Sequence, residues 1–123
     1  MKVDAMWTAA ETNTHQDHVI AHVIGASVLS HFVWDETVYL VLDIEFIWNI
    51  YLDAEMGLLP EAAALAEMEV DENLRHWEQL SSPSPIKSVD LFESDDGRRL
   101  VLNCEDTTIT LETSFTTREI HIS

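Results

Sequence analysis

Three sets of residues in this 123-residue chain combine chemical types and spacings that can do work. The first is Glu11, His15, His18 and His22, which on a continuous helix would share one face, because residues three and four apart are neighbours there. Imidazoles one turn apart can reach a common Zn²⁺ or Ni²⁺ ion. The segment Thr12-Asn13-Thr14 interrupts that helix, so His15, His18 and His22 are the reduced metal set, and a polar surface row is the plainer reading. The second is a pair of carboxylate steps: Asp43 and Glu45, two residues apart on a strand and so on one face, and Asp53 with Glu55, which repeat the spacing after the next strand. Converging carboxylates bind hard cations or divide acid and base roles, whereas diverging ones only solvate a surface. The third is the aromatic run Phe46-Ile47-Trp48 with nearby Tyr51, bordered by Glu45 and Asp53. Aromatic side chains inside a charged rim are the composition of a protein-binding hot spot. The competing account is burial beneath a neighbouring helix.

Other chemistries find little support. Cys104 lies between Leu102 and the acidic pair Glu105-Asp106, which suits a small buried side chain better than an activated thiolate. A Gly-x-Ser-x-Gly elbow is absent, and three isolated glycines, Gly25, Gly57 and Gly97, cannot form a phosphate loop. No catalytic residue and no cofactor is assigned.

Charge narrows the partners. The net charge is −17, and no Lys or Arg occurs between Lys2 and Arg75. Phosphate backbones and anionic lipids are held by clustered bases, so nucleic acid and membrane surfaces are disfavoured and a basic protein partner is favoured. Solubility alone can also explain acidity. The first residues carry no apolar core with a small-residue cleavage site, and the longest apolar runs are too short for a bilayer, so a cytoplasmic protein is expected. A single cysteine agrees with a reducing compartment.

The elements that must position these residues read as α+β, mainly antiparallel sheet, in one domain over 1–123. Residues 38–45 alternate after a turn at Asp35-Glu36, with Val38, Leu40, Leu42 and Ile44 facing inward and Tyr39, Val41, Asp43 and Glu45 on a second face that emerges into solvent. Asp95-Asp96-Gly97 is a second hairpin turn between strands at 86–91 and 99–104, followed by a strand at 108–112. Residues 40–45 match 100–105, and 50–52 match 109–111 after a one-residue shift. Two β-meander units, about 25–53 and 86–113, and about six strands are therefore expected, with one or two helices between them packed on the sheet. That helical connection covers about 58–80: Pro60 suits a first helical position, Ala and Leu follow, and Leu58, Ala62, Leu65 and Ala66 form an apolar stripe. In this alignment Phe46-Ile47-Trp48 falls where the second unit has the polar turn Asp106-Thr107-Thr108. Near the start, Thr14 can cap a helix over 15–23 with Val19, Ile20 and Val23 inward, a strand being the alternative.

The residues favour a non-enzymatic acidic interaction protein of the inhibitor or immunity type, holding a basic partner through Glu45, Phe46, Trp48, Tyr51 and Asp53. The alternatives are a small metal-dependent hydrolase and a homodimeric structural subunit.

Overall fold

Alternation of apolar and polar side chains dominates the computed structural model, which describes residues 7–60, 78–79 and 84–123. Ten strands and one helix are described in the order β1 Thr8–Ala9, α1 Thr14–Val23, β2 Val28–Trp34, β3 Thr37–Leu42, β4 Phe46–Tyr51, β5 Met56–Pro60, β6 Glu78–Gln79, β7 Ile86–Ser94, β8 Gly97–Cys104, β9 Thr108–Ser114 and β10 Glu119–Ile122. They form two five-stranded sheets, β1-β7-β8-β9-β10 and β5-β4-β3-β2-β6, in which every described pairing is antiparallel. The mainly antiparallel class is as expected. The strand number is higher than the six anticipated, because two-residue edge strands and the terminal hairpin carry almost no sequence signal.

The inward faces of both sheets meet in one core that includes Val28, Val38, Leu40, Leu42, Trp48 and Ile50 from one sheet and Ile86, Leu91, Leu100, Leu102, Ile109 and Leu111 from the other. The helix closes onto this core through Val19 and Val23, with Ile20 packed against it. Asn13, not Thr14, caps it: the Asn13 side chain accepts from the Gln16 N–H at 2.8 Å, and the Gln16 side chain accepts from the Asn13 N–H at 2.9 Å. This reciprocal box satisfies two otherwise orphaned donors. Among the described residues no helix is long and apolar enough to cross a membrane.

Three expectations need correction. β3 ends at Leu42, and 43–45 form the turn, because the Asp43 carboxylate leaves the ladder to accept from the Ser27 N–H at 2.9 Å. Ile44 therefore does not continue the strand. Tyr39 and Val41 do not emerge into solvent either; both are buried. Tyr39 and Ile47, with Phe32 and Leu59 against them, form a second cluster on the outer face of this sheet. Finally, the expected helix does not begin at 58 or 59: Leu58, Leu59 and Pro60 lie in β5, opposite Trp48, Ile47 and Phe46. Pro60 ends an edge strand, where a missing N–H is tolerated. The remainder of the expected helical connection, 61–77 and 80, lies outside the described residues, and 78–79 belong to β6.

Strand pairing also resets the comparison of the two halves. Leu40 pairs with Trp48, and Leu100 pairs with Leu111, so Trp48 rather than Leu52 stands where Leu111 does. Phe46-Ile47-Trp48 is strand, and the counterpart of the polar turn at 105–107 is 43–45. Each sheet nonetheless repeats one connectivity: a two-residue edge strand beside the first of four consecutive antiparallel strands. The first strand is irregular at the same place in both, between Val28 and Ser30 and between Ile86 and Ser88. An isolated Ser27–Pro85 bridge joins the two starts, supported by Ile86 N–H to Ala26 O at 2.9 Å and Gly25 N–H to Ile86 O at 2.8 Å.

Gly97 is required by a close approach: a Cβ there would lie 1.9 Å from the Thr113 carbonyl oxygen. Backbone would have to move to admit a methyl group. Gly97→Ala is expected to lower unfolding stability by about 1–3 kcal/mol or more, measured by urea denaturation.

Candidate functional site

Two hairpin turns and one strand connection meet at one end of the molecule. The β2–β3 turn is the two-residue loop Asp35-Glu36, both left-handed at φ 52° and 60°. Left-handed geometry at both central positions matches the twist of a hairpin, but Asn-Gly is its usual occupant, so Asp-Glu here costs about 1–3 kcal/mol per residue. The β4–β5 connection turns through Ala54, φ 67°, fastened by Ala54 N–H to Tyr51 O at 2.8 Å and Tyr51 N–H to Glu55 O at 2.7 Å. Helix α1 braces it from behind: Gln16 Nε2 donates to Ala54 O at 3.2 Å, and His15 Nε2 lies 3.1 Å from Met56 O. The β9–β10 loop ends at Arg118, φ 57°. All the left-handed non-glycine residues described lie in these three connections.

The third connection is built around Asp96, whose carboxylate accepts from the Thr116 hydroxyl, the Thr116 N–H at 3.1 Å and the Ser114 hydroxyl at 2.9 Å. Those donors hold its carboxyl below the usual carboxylate range. Arg98 stacks on the Phe115 ring with its guanidinium carbon 5.2 Å from the centroid. Arg118 then reaches across to the other sheet and grips Glu36 with two parallel hydrogen bonds, Nε to Oε1 at 2.7 Å and Nη2 to Oε2 at 2.5 Å. The facing guanidinium keeps the Glu36 carboxyl low. Both partners are well exposed, 62% and 42%, so the pair contributes little stability and is free to exchange partners.

Between these parts lies a cleft of about 420 Å³ lined by Asp35, Glu36, Tyr51, Asp53, Phe115 and Arg118, with Thr37 and Leu52 completing it. Tyr51 is one of the few large apolar side chains left exposed, at 46%. Three carboxylates surround two aromatic rings; Arg118 is paired with Glu36, and Arg98 lies over the Phe115 ring. Carboxylates and ring faces are groups that pair with cations. Among the described residues that line it there is no paired nucleophile and base.

The five residues expected to bind a partner are separated by this arrangement. Tyr51 and Asp53 line the cleft. Trp48 is fully buried in the core, and its indole N–H has no partner among the described residues. Phe46 is half-buried at the opposite end of β4, about 16 Å from Tyr51 along the strand, where it meets the His22 ring edge-on at 5.2 Å. Glu45 is exposed in the β3–β4 turn. The metal set is on one helix, but Glu11 precedes its start, His15 faces the Met56 carbonyl and His22 faces Phe46. Among the described residues no three His, Cys, Asp or Glu side chains converge as ligands. Asp43 serves the Ser27 amide, and Asp53 accepts from the Glu55 N–H at 3.1 Å. Cys104 is half-buried, and burial pushes its thiol up, away from the reactive thiolate. Sequence reasoning passed over Asp35, Glu36, Phe115 and Arg118. The Asp35-Glu36 turn was legible, but its pairing with Arg118 spans 82 positions and has no local signature.

No family model, no curated protein and no solved structure matches this chain.

Two measurements separate core from surface. Trp48→Ala should cost about 3–5 kcal/mol in urea unfolding, and Tyr51→Ala less than about 1 kcal/mol, since only the first opens a buried cavity. Acid titration tests the turn carboxylates. Folded Asp96 and Glu36 ionise below their unfolded values, so their stabilisation is complete above the ordinary carboxylate range and disappears as pH falls through the depressed folded values. Asp96→Asn with Glu36→Gln is therefore expected to be less stable than the parent at pH about 7, the gap closing below about pH 3.

Proposed function

We propose that the protein is a non-enzymatic binding module that takes a basic protein partner at the cleft beside Tyr51. One observation supports this reading: an exposed aromatic ring sits among Asp35, Glu36 and Asp53 in an open cleft where Arg118 already pairs with Glu36. A net charge of −17 supplies long-range attraction, which accelerates encounter with a cationic partner. Tyr51 and Phe115 then supply contact area that water does not compete for. Inhibition of a basic enzyme or toxin is one form this activity takes. The partner-binding set accordingly becomes Asp35, Glu36, Tyr51, Asp53, Phe115 and Arg118, with Trp48 a core residue.

The same reading treats the chain as two related four-stranded units. The repeated connectivity, the matching irregularities in β2 and β7 and the Ser27–Pro85 bridge between them support it. Each unit brings one hairpin end to the cleft: Asp35-Glu36 from the first and Phe115 with Arg118 from the second.

Titration with a lysine heptamer, followed residue by residue by amide NMR, tests the proposal. Shifts should concentrate at Asp35, Glu36, Tyr51 and Asp53, weaken about tenfold between low and physiological salt, and disappear in Asp53→Lys but not in Phe46→Ala. Equal shifts at the acidic positions Asp90, Glu93, Glu105 and Asp106 would reduce the interaction to general acidity and overturn the reading.

A further inference from the structure

The edges of the two sheets are not equivalent. β1 and β6 are two residues long, and β5 ends in Pro60 while its Met56 carbonyl meets His15. These edges are blunted by short length, proline or a covering helix. β10 is also short, at four residues, but it contains no proline and no described helix covers it. Its inner edge is fixed by reciprocal bonds between Thr110 and Ser123, each 2.9 Å. Bonded pairs alternate along an antiparallel ladder. With Ile122 opposite Leu111 and Ile120 opposite Thr113, the bonded pairs are His121 with Glu112 and Glu119 with Ser114. The N–H and C=O groups of Ile120 and Ile122 therefore point away from β9. Among the described residues β10 is the last strand of its sheet, so nothing there pairs with them.

The side chains around this edge define what fits. Ile120 and Ile122 turn inward onto the core, while Glu119 and His121 are exposed. Ile120 and Tyr51 line the same small cavity between the sheets. A strand laid beside Ile120 would thus place its inward side chain near the Tyr51 ring. Its outward side chains would sit opposite Glu119 and His121, where a cation is favoured by the directly facing carboxylate, whose Oε2 also lies 3.2 Å from His121 Nε2. Arg118 immediately precedes the strand, so the added chain would run on past it to Glu36, Asp35 and Asp53 in the cleft. A second copy of this chain suits the edge poorly, because it would bring Glu119 and a further charge of −17.

We propose that the outer edge of β10 accepts an extended segment of the basic partner as an added strand, with apolar residues inward and cationic residues outward. The proposal rests on the cleft reading and names how the partner is held: main-chain bonds to Ile120 and Ile122 supply affinity, and charge at Glu119 and the cleft supplies selectivity.

The test uses the full chain and a capped alternating Lys-Val hexapeptide. Hydrogen exchange at the Ile120 and Ile122 amides should slow by about tenfold or more on binding, together with shifts at Tyr51 and Asp53. A version N-methylated at the valines should lose the exchange protection, as should Ile122→Pro, provided its urea unfolding is unchanged. A Glu-Val hexapeptide should give neither effect. Shifts in the cleft with no slowing at Ile120 and Ile122 would overturn strand addition while leaving the cleft reading intact. Absence of both responses would overturn the two together.

Discussion

Two antiparallel sheets can share a core only if alternate residues of nearly every strand are apolar and point the same way. Here Leu40, Trp48, Leu100 and Leu102 occupy the centre of that shared face, each at most 2% exposed. Every other feature follows from keeping them there. Register slips by one residue would turn them outward, so the hairpin turns must hold it. The turns in consequence carry the strain: Asp35, Glu36, Ala54 and Arg118 take left-handed backbone so that the strands between them can remain regular.

That division explains why the candidate site lies at the turns. The shared core tolerates no charge, and on the β2–β5 sheet even the outer residues Tyr39 and Ile47 are buried. The other sheet carries polar side chains on its outer face, among them Lys87 and Asp90, and the connections carry the rest. Three of them come to one end because β2–β3 and β9–β10 are hairpins on opposing sheets, and α1 presses the β4–β5 connection into place beside them. The Glu36–Arg118 pair is the visible consequence, an ion pair between sheets in a protein with few cations. Being exposed, it holds the sheets together weakly and marks a position where guanidinium chemistry is already accommodated.

Acidity acquires a direction from this geometry. Spread over the whole surface, a charge of −17 mainly maintains solubility. Gathered beside Tyr51, Asp35, Glu36 and Asp53 form a local field with ring faces inside it, and the neighbouring β10 edge offers main-chain groups in line with it. In the proposed reading, long-range attraction, aromatic contact and backbone pairing would act on the same partner. None of the three alone gives selective binding.

The sequence by itself determined the antiparallel class, the hairpin turns at 35–36 and 95–97 and the uneven charge, because each is written in adjacent residues; between helix and strand at 15–23 it left the choice to the structure. Period-two alternation, turn chemistry and caps are local quantities. It also singled out Tyr51 and Asp53. What only the tertiary structure decided was register and company. A turn misplaced by two or three residues made Phe46-Ile47-Trp48 look like an exposed bend, when pairing with Leu40 and Leu58 puts Trp48 in the core. Leu58, Leu59 and Pro60 read as a helix start by propensity, and ladder bonds to β4 overrode that weak preference. Arg118 found Glu36 and Phe115 found Tyr51's cleft only because two sheets stack. That β10 is the last strand of its sheet among the described residues is likewise a matter of strand order. Contacts between residues far apart in the chain arise from burial shared by the whole core, and no window of sequence contains them.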